Sequence, residues 1–182
     1  DGLLSFLEEY DREHGAERNT SAASYDLIVQ ICRSQQHKFY VCYDKSLPRT
    51  RLSGQEPTAP THECWGRITN MAKEHTDGRL IVQEFEIRKN NLEELLKSNG
   101  YSNKSTCVAA WRSLGVLNAE DATHPCRSRK IDPTAAKGTS EDVFVLRVFA
   151  DDAAAAEIRA EKKAEELKAA KNRKTLPIRM AK

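Results

Sequence analysis

Apolar residues recur along this chain in two periods, one helical and one alternating, and turn residues separate the blocks. Leu3, Leu4, Phe6, Leu7 and Tyr10 fall at helical spacing before Gly15, which predicts a short amphipathic helix over Gly2 to His14. Ser24 is a candidate cap for a second helix, in which Tyr25, Ile28, Val29 and Cys32 share one face. Phe39-Tyr40-Val41-Cys42-Tyr43 is dense in aromatic and β-branched residues and predicts a strand. Residues 45–61 carry Pro48, Gly54, Pro57 and Pro60 and few apolar positions, so they read as a linker or surface loop and the best internal boundary.

Beyond that boundary, Cys64 to Met71 and Arg79 to Ile87 read as strands of a hairpin joined by a polar stretch ending in Asp77-Gly78. Asn90 with Glu93 resembles a capping box, and Leu92, Leu95 and Leu96 give the helix behind it a buried face that ends at Asn99-Gly100. Ser102 is a candidate cap for the next helix. There Cys107, Val108, Trp111 and Leu114 point inward and Gly115 supplies the left-handed residue that closes it. Arg127 to Ile131 and Val143 to Phe149 then read as strands around a Pro/Gly-containing loop.

The order helix, turn, helix, hairpin predicts an α+β fold with a winged helix-turn-helix from about Cys64 to Phe149. A preceding β-hairpin, a small N-terminal helical lobe and a charged C-terminal helix complete it. The expected division is a helical segment with one strand (1–44), a linker or surface loop (45–61), the winged-helix domain (62–150) and a charged, partly disordered helical tail (151–182). In that tail Ile158 and Leu167 are the only large apolar residues before Lys174, so a solvated helix is expected rather than a packed coiled coil.

Charge sharpens this picture only locally. The net charge of +2 over 182 residues is nearly neutral, but the region from Asp151 holds nine Lys/Arg against six Asp/Glu, so the surplus lies in the tail. No apolar run approaches the roughly 18 residues of a membrane helix. Five cysteines, an odd number with no CxxC pair, favour free thiols in a reducing, cytoplasmic setting. With no basic leader and no initiator Met before Leu3, the chain is expected to be a C-terminal piece of a larger protein.

The second helix of the motif leaves Lys104, Ser105, Ala109, Arg112 and Ser113 for solvent. These are small hydrogen-bonding and basic types suited to a major groove. Arg127, Arg129, Lys130 and Lys137 in the wing are candidate phosphate contacts. The expected DNA-binding residues are therefore Lys104, Ser105, Arg112, Arg127, Arg129, Lys130 and Lys137, with double-stranded DNA the favoured partner. Docking on a protein, or on an upstream ATPase, is the alternative, and a free-standing transcription regulator a weaker one.

His62-Glu63-Cys64 and His124-Pro125-Cys126 have the residue types of a zinc site but not the spacing of a known finger, and core or surface roles are favoured. The chain holds no GxxxxGK[ST], GxSxG, HExxH or GxGxxG segment. His14, His37 and His75 lie in polar surroundings expected to be exposed. No catalysis, cofactor, metal or small-molecule substrate is expected in this segment.

One resemblance adds to this reading. Trp65-Gly66-Arg67-Ile68, the Leu92 to Leu96 helix, Gly100-Tyr101-Ser102 and Trp111-Arg112-Ser113-Leu114-Gly115-Val116-Leu117 together resemble the C-terminal region of a helicase group carried by bacterial mobile elements. That group comprises domain-of-unknown-function helicases, including cassette-chromosome helicases. The resemblance covers Trp65 to Phe149 and implies an accessory domain that engages DNA or couples to an ATP-driven motor lying upstream. Lys104, Ser105 and Arg112 would then face the groove, with Arg127, Arg129 and Lys130 on the backbone. Neither 45–61 nor the tail is covered.

Overall fold

A computed structural model describes residues 23–51, 55–121, 123–135 and 139–175, with side chains of the last helix to residue 171. The helix predicted over Gly2 to His14 lies outside the described residues, as does Lys137. Helix α1 spans 23–34. There follow β1 (Phe39–Tyr43), β2 (Gly66–Glu74), β3 (Leu80–Arg88), α2 (Lys89–Ser98), α3 (Lys104–Ser113), β4 (Arg127–Arg129), β5 (Glu141–Phe149) and α4 (Asp152–Thr175). The fold is α+β, with a five-stranded sheet in the order β1-β2-β3-β5-β4. β1 runs parallel to β2 and every other pair is antiparallel.

The period of two along each strand divides the sheet into two faces. Phe39, Ile68, Phe85, Ile87, Phe144 and Leu146 point to one face, where they form a single core with Ile28, Val29 and Cys32 of α1, Leu92 and Leu96 of α2, and Cys107, Val108 and Trp111 of α3. Burying each such side chain stabilises the fold by about 1.5–3 kcal/mol, which explains why these short helices hold their positions. On the opposite face Ile131, Val143 and Val145 form a smaller cluster with Tyr40 and Cys64 against it.

α1 and β1 thus belong to the same core and sheet as the rest, so the described residues 23–44 form no separate lobe. Residues 45–61 connect two neighbouring strands, and Thr58 bridges back onto Val41 of β1. The polar, Pro-rich composition marked an insert on the surface, and β1 pairs across it with the strand that follows.

Gly66 explains how β2 can lie so close to β3. Its φ is +153°, and a Cβ there would sit 1.8 Å from the carbonyl oxygen of Glu86. Further along, irregularities in the β2–β3 and β3–β5 registers shift the alternation. Ala72 and Leu80 there form a second cluster with Ala155 and Ile158 of α4.

The first half of α4 is therefore docked, contrary to the solvated helix expected. Arg51 reaches Glu157 at 3.0 Å and Glu161 at 2.7 Å, and the Arg159 guanidinium meets Glu74 at 2.8 Å. Small apolar residues and paired charges make this contact, which a search for large apolar positions misses.

Three local expectations also change. α2 begins at Lys89 with no side-chain cap, because β3 runs straight into it; Asn90 lies inside the helix, and Glu93 pairs with Lys104 rather than closing a capping box. The cap of α3 is Asn103 instead of Ser102, its Oδ1 accepting from the Thr106 N–H at 3.3 Å. Ser24 follows a residue that is already helical, and its hydroxyl is buried against Trp111.

Candidate nucleic-acid interface

The unit of interest is α2, the turn Asn99 to Asn103, and α3. Each helix ends on a glycine with positive φ, +86° at Gly100 and +68° at Gly115. The Tyr101 N–H donates to the Leu96 carbonyl at 2.9 Å and that of Gly100 to Lys97 at 3.2 Å. At α3 the Val116 N–H donates to Trp111 at 3.1 Å and the Gly115 N–H to Arg112 at 3.0 Å. Both ends are Schellman motifs, which satisfy carbonyls that the helix itself leaves unpaired.

Trp111 anchors α3. It is fully buried, and its indole Nε1–H donates to the Ser24 hydroxyl of α1 at 3.0 Å. A buried indole needs such a partner. With Cys107, Val108 and Trp111 inward, Ser105, Ala109, Arg112 and Ser113 are exposed along the opposite face. Leu114 was expected inward but is 45 % exposed, because the helix closes at Ser113 and the reversal at Gly115 turns the next residues toward β5.

The predicted site residues divide into two groups. Lys104, Ser105 and Arg112 share α3. The Lys104 ammonium is paired with Glu93 of α2, the Ser105 hydroxyl donates to Asn103 Oδ1 at 2.6 Å, and Arg112 donates to the Asp121 carbonyl at 3.4 Å. These contacts tie the helix surface to α2, to its own cap and to the loop that follows.

Arg127 and Arg129 lie opposite Val143 and Glu141 in the β4–β5 register, and so share the sheet face of Val145 and Glu86 rather than the face packed by helices. The structure does not bring them onto the outward face of α3. Arg127 braces the loop after α3 by donating to the carbonyls of Asn118 and Ala119, both at 3.0 Å. Lys130 bonds the carbonyl of Ala135. Arg129 lies 3.5 Å from Glu86, a carboxylate only 3 % exposed.

Glu86 is the electrostatic centre of that second face. Arg67 Nη2 donates to its Oε1 at 2.8 Å, while Arg67 Nε lies 2.7 Å from Oε2 off the hydrogen-bond line, so attraction there is one of charge. Glu84 pairs with Arg147 at 3.2 Å and Arg88 with Glu141 at 2.8 Å. A buried carboxylate needs such neutralisation. These partners are 19 to 63 residues apart in sequence, and no local motif marks them.

Loop chemistry is also set by pairs. The His124 ring bonds Asp121 at 2.8 Å, which raises the imidazole above its ordinary value and holds the Asp121 carboxyl well below the usual carboxylate range. Burial raises the thiols of Cys32, to about 12, and of Cys64 and Cys126, and all five cysteines are free. Among the described residues no group of three or more His, Cys, Asp and Glu side chains is placed to hold a metal ion, and the two His-x-Cys pairs do not converge. His75, expected on an exposed turn, is largely covered, with Asp77 at 2.8 Å and Arg147 at 3.1 Å. Among the described residues no helix is long and apolar enough to cross a membrane.

Two short helices with a glycine turn, the second anchored from behind and polar in front, define a helix-turn-helix domain, a class that reads DNA. The comparison with family models agrees: the model described as Cch helix turn helix domain matches residues 20–151. The chain belongs to that family. Searches of curated proteins and of solved structures found no match. α4 lies beyond the matched residues.

Proposed function

We propose that this chain is a winged-helix accessory domain that binds double-stranded DNA within a helicase-type protein of mobile elements and performs no chemistry itself. The observation that carries the reading is α3: a helix fixed by Trp111, by Asn103 at its start and by Gly115 at its end, with Ser105, Ala109, Arg112 and Ser113 exposed along one side. In this reading Lys104, Ser105 and Arg112 enter the major groove. Arg129 and Lys130, on the β4–β5 side, contact phosphates, and Arg127 supports the loop between. ATP hydrolysis would belong to another part of the protein, since this segment carries no phosphate-binding loop.

A second reading, docking on a protein or on the motor itself, draws support from a specific observation. Lys104, Arg127 and Arg129 already have partners within the fold, and Leu114 is exposed beside the end of α3. Fluorescence anisotropy with labelled duplex and single-stranded DNA across a salt series separates the two. Phosphate neutralisation releases counterions and makes affinity fall linearly with salt on logarithmic axes. Duplex binding with that slope, weakened in Arg112→Ala, is expected. The absence of binding at low salt would leave the docking reading.

A further inference from the structure

α3 and α4 are held by the same five-residue turn, His75 to Arg79, at the end of the β2–β3 hairpin. The turn is internally tight. The His75 N–H donates to the Arg79 carbonyl at 2.8 Å, and Asp77 accepts from the Arg79 N–H at 3.0 Å and from its Nε at 2.7 Å.

From one side Arg159 of α4 grips it. Nε and Nη2 donate to the two oxygens of Glu74 at 2.8 and 2.9 Å, and Nη2 also donates to the Gly78 carbonyl at 2.9 Å. Ala155 and Ile158 cover Leu80 just behind the turn. From the other side Arg79 reaches α3. Its guanidinium lies 3.8 Å from the ring centroid of Phe149 and donates to the Leu114 carbonyl at 3.4 to 3.5 Å. It rests so closely on Gly115 that a Cβ there would be 2.8 Å from Nη2. A cation at a helix C-terminus also meets the negative end of the helix dipole.

We infer that α4 is a working part of the DNA-reading unit: its Arg159 fixes the β2–β3 turn, and Arg79 of that turn positions the end of α3. Arg79 and Arg159 are positioning residues, and neither touches DNA. The inference rests on the proposed reading of α3 as the groove helix. It also extends the functional unit past the residues shared with the family, since Arg159 lies beyond position 151.

The test uses the full chain as wild type, Arg159→Ala and Arg159→Lys, with amide hydrogen exchange and duplex-DNA affinity measured side by side. In Arg159→Ala the amides of Gly115, Val116 and Leu117 are expected to exchange about fivefold faster or more, a local opening, while the strand amides of β3 and β5 keep their protection. Arg159→Lys restores part of the difference, and duplex affinity follows the exchange at 115–117. Unchanged exchange at these three amides, or equal acceleration throughout the core, overturns the inference. A wild-type chain that binds no duplex overturns the reading beneath it, whatever the exchange shows.

Discussion

Trp111 shows how one residue ties sequence to function. Its position relative to Cys107 and Val108 was legible as a helical face, and all three are buried. The bond from its indole to Ser24 was not legible, because 87 residues separate the partners. Truncating it to alanine removes a buried aromatic and leaves the Ser24 hydroxyl without its indole donor. Trp111→Ala is expected to cost about 3–5 kcal/mol, read from denaturant unfolding; a loss below about 1 kcal/mol would mean that α3 is not anchored from behind. His124 provides a second check at this scale. Its imidazole is raised above 6.5 by the bond to Asp121, and Asp121 is held below 3.8 chiefly by the same bond. A raised histidine contributes below its unfolded value and loses that contribution as pH rises through the folded one; a lowered carboxylate does the reverse. The loop is therefore tightest between about pH 3.8 and 6.5. An NMR titration should place the His124 midpoint above 6.5 in the wild type and return it toward 6.5 in Asp121→Asn.

At the scale of elements, turn chemistry made the helix-turn-helix legible. Asn99-Gly100 and Gly115 end α2 and α3 where their φ values require glycine, whereas the starts were misjudged by a residue or more because Ser102 and Asn103 are both good caps and only geometry selects one. The two glycines are not equivalent. An alanine at 100 meets nothing within 4 Å, so its cost is the left-handed backbone, about 1 kcal/mol. An alanine at 115 bears the same cost and also displaces Arg79 from α3. Thermal unfolding is expected to rank Gly115→Ala as the more damaging, with the gap closing in an Arg79→Ala background. A gap that persists there would show that Arg79 does not bear on the end of α3.

At the scale of the whole molecule, the sequence predicted the two hairpins correctly but not the sheet that joins them. β1 lies beside β2 across the insert 45–61, and the pairs on the second face, Glu86 with Arg67 and Arg129 among them, connect residues that no period relates. The basic residues predicted for the wing divide for the same reason: strand register assigns Arg127 and Arg129 to the face opposite the helices, whereas Arg112 stays with α3. Docking of α4 by Ala155, Ile158 and paired charges was equally hidden in a segment that reads as solvated. Removing everything after Ala150 exposes Ala72 and Leu80 and strands Glu74 and Arg51, so the truncated chain is expected to melt at a lower temperature than the full one. An unchanged melting point would mean that α4 contributes nothing to the fold.

The central claim, that the outward face of α3 reads duplex DNA, is tested most directly by NMR shift perturbation on titrating the full chain with a DNA duplex. The account predicts shifts concentrated on Lys104, Ser105, Ala109, Arg112 and Ser113, with smaller ones at Arg129 and Lys130. Shifts confined to α4, or none anywhere on α3 at saturating duplex, would contradict it.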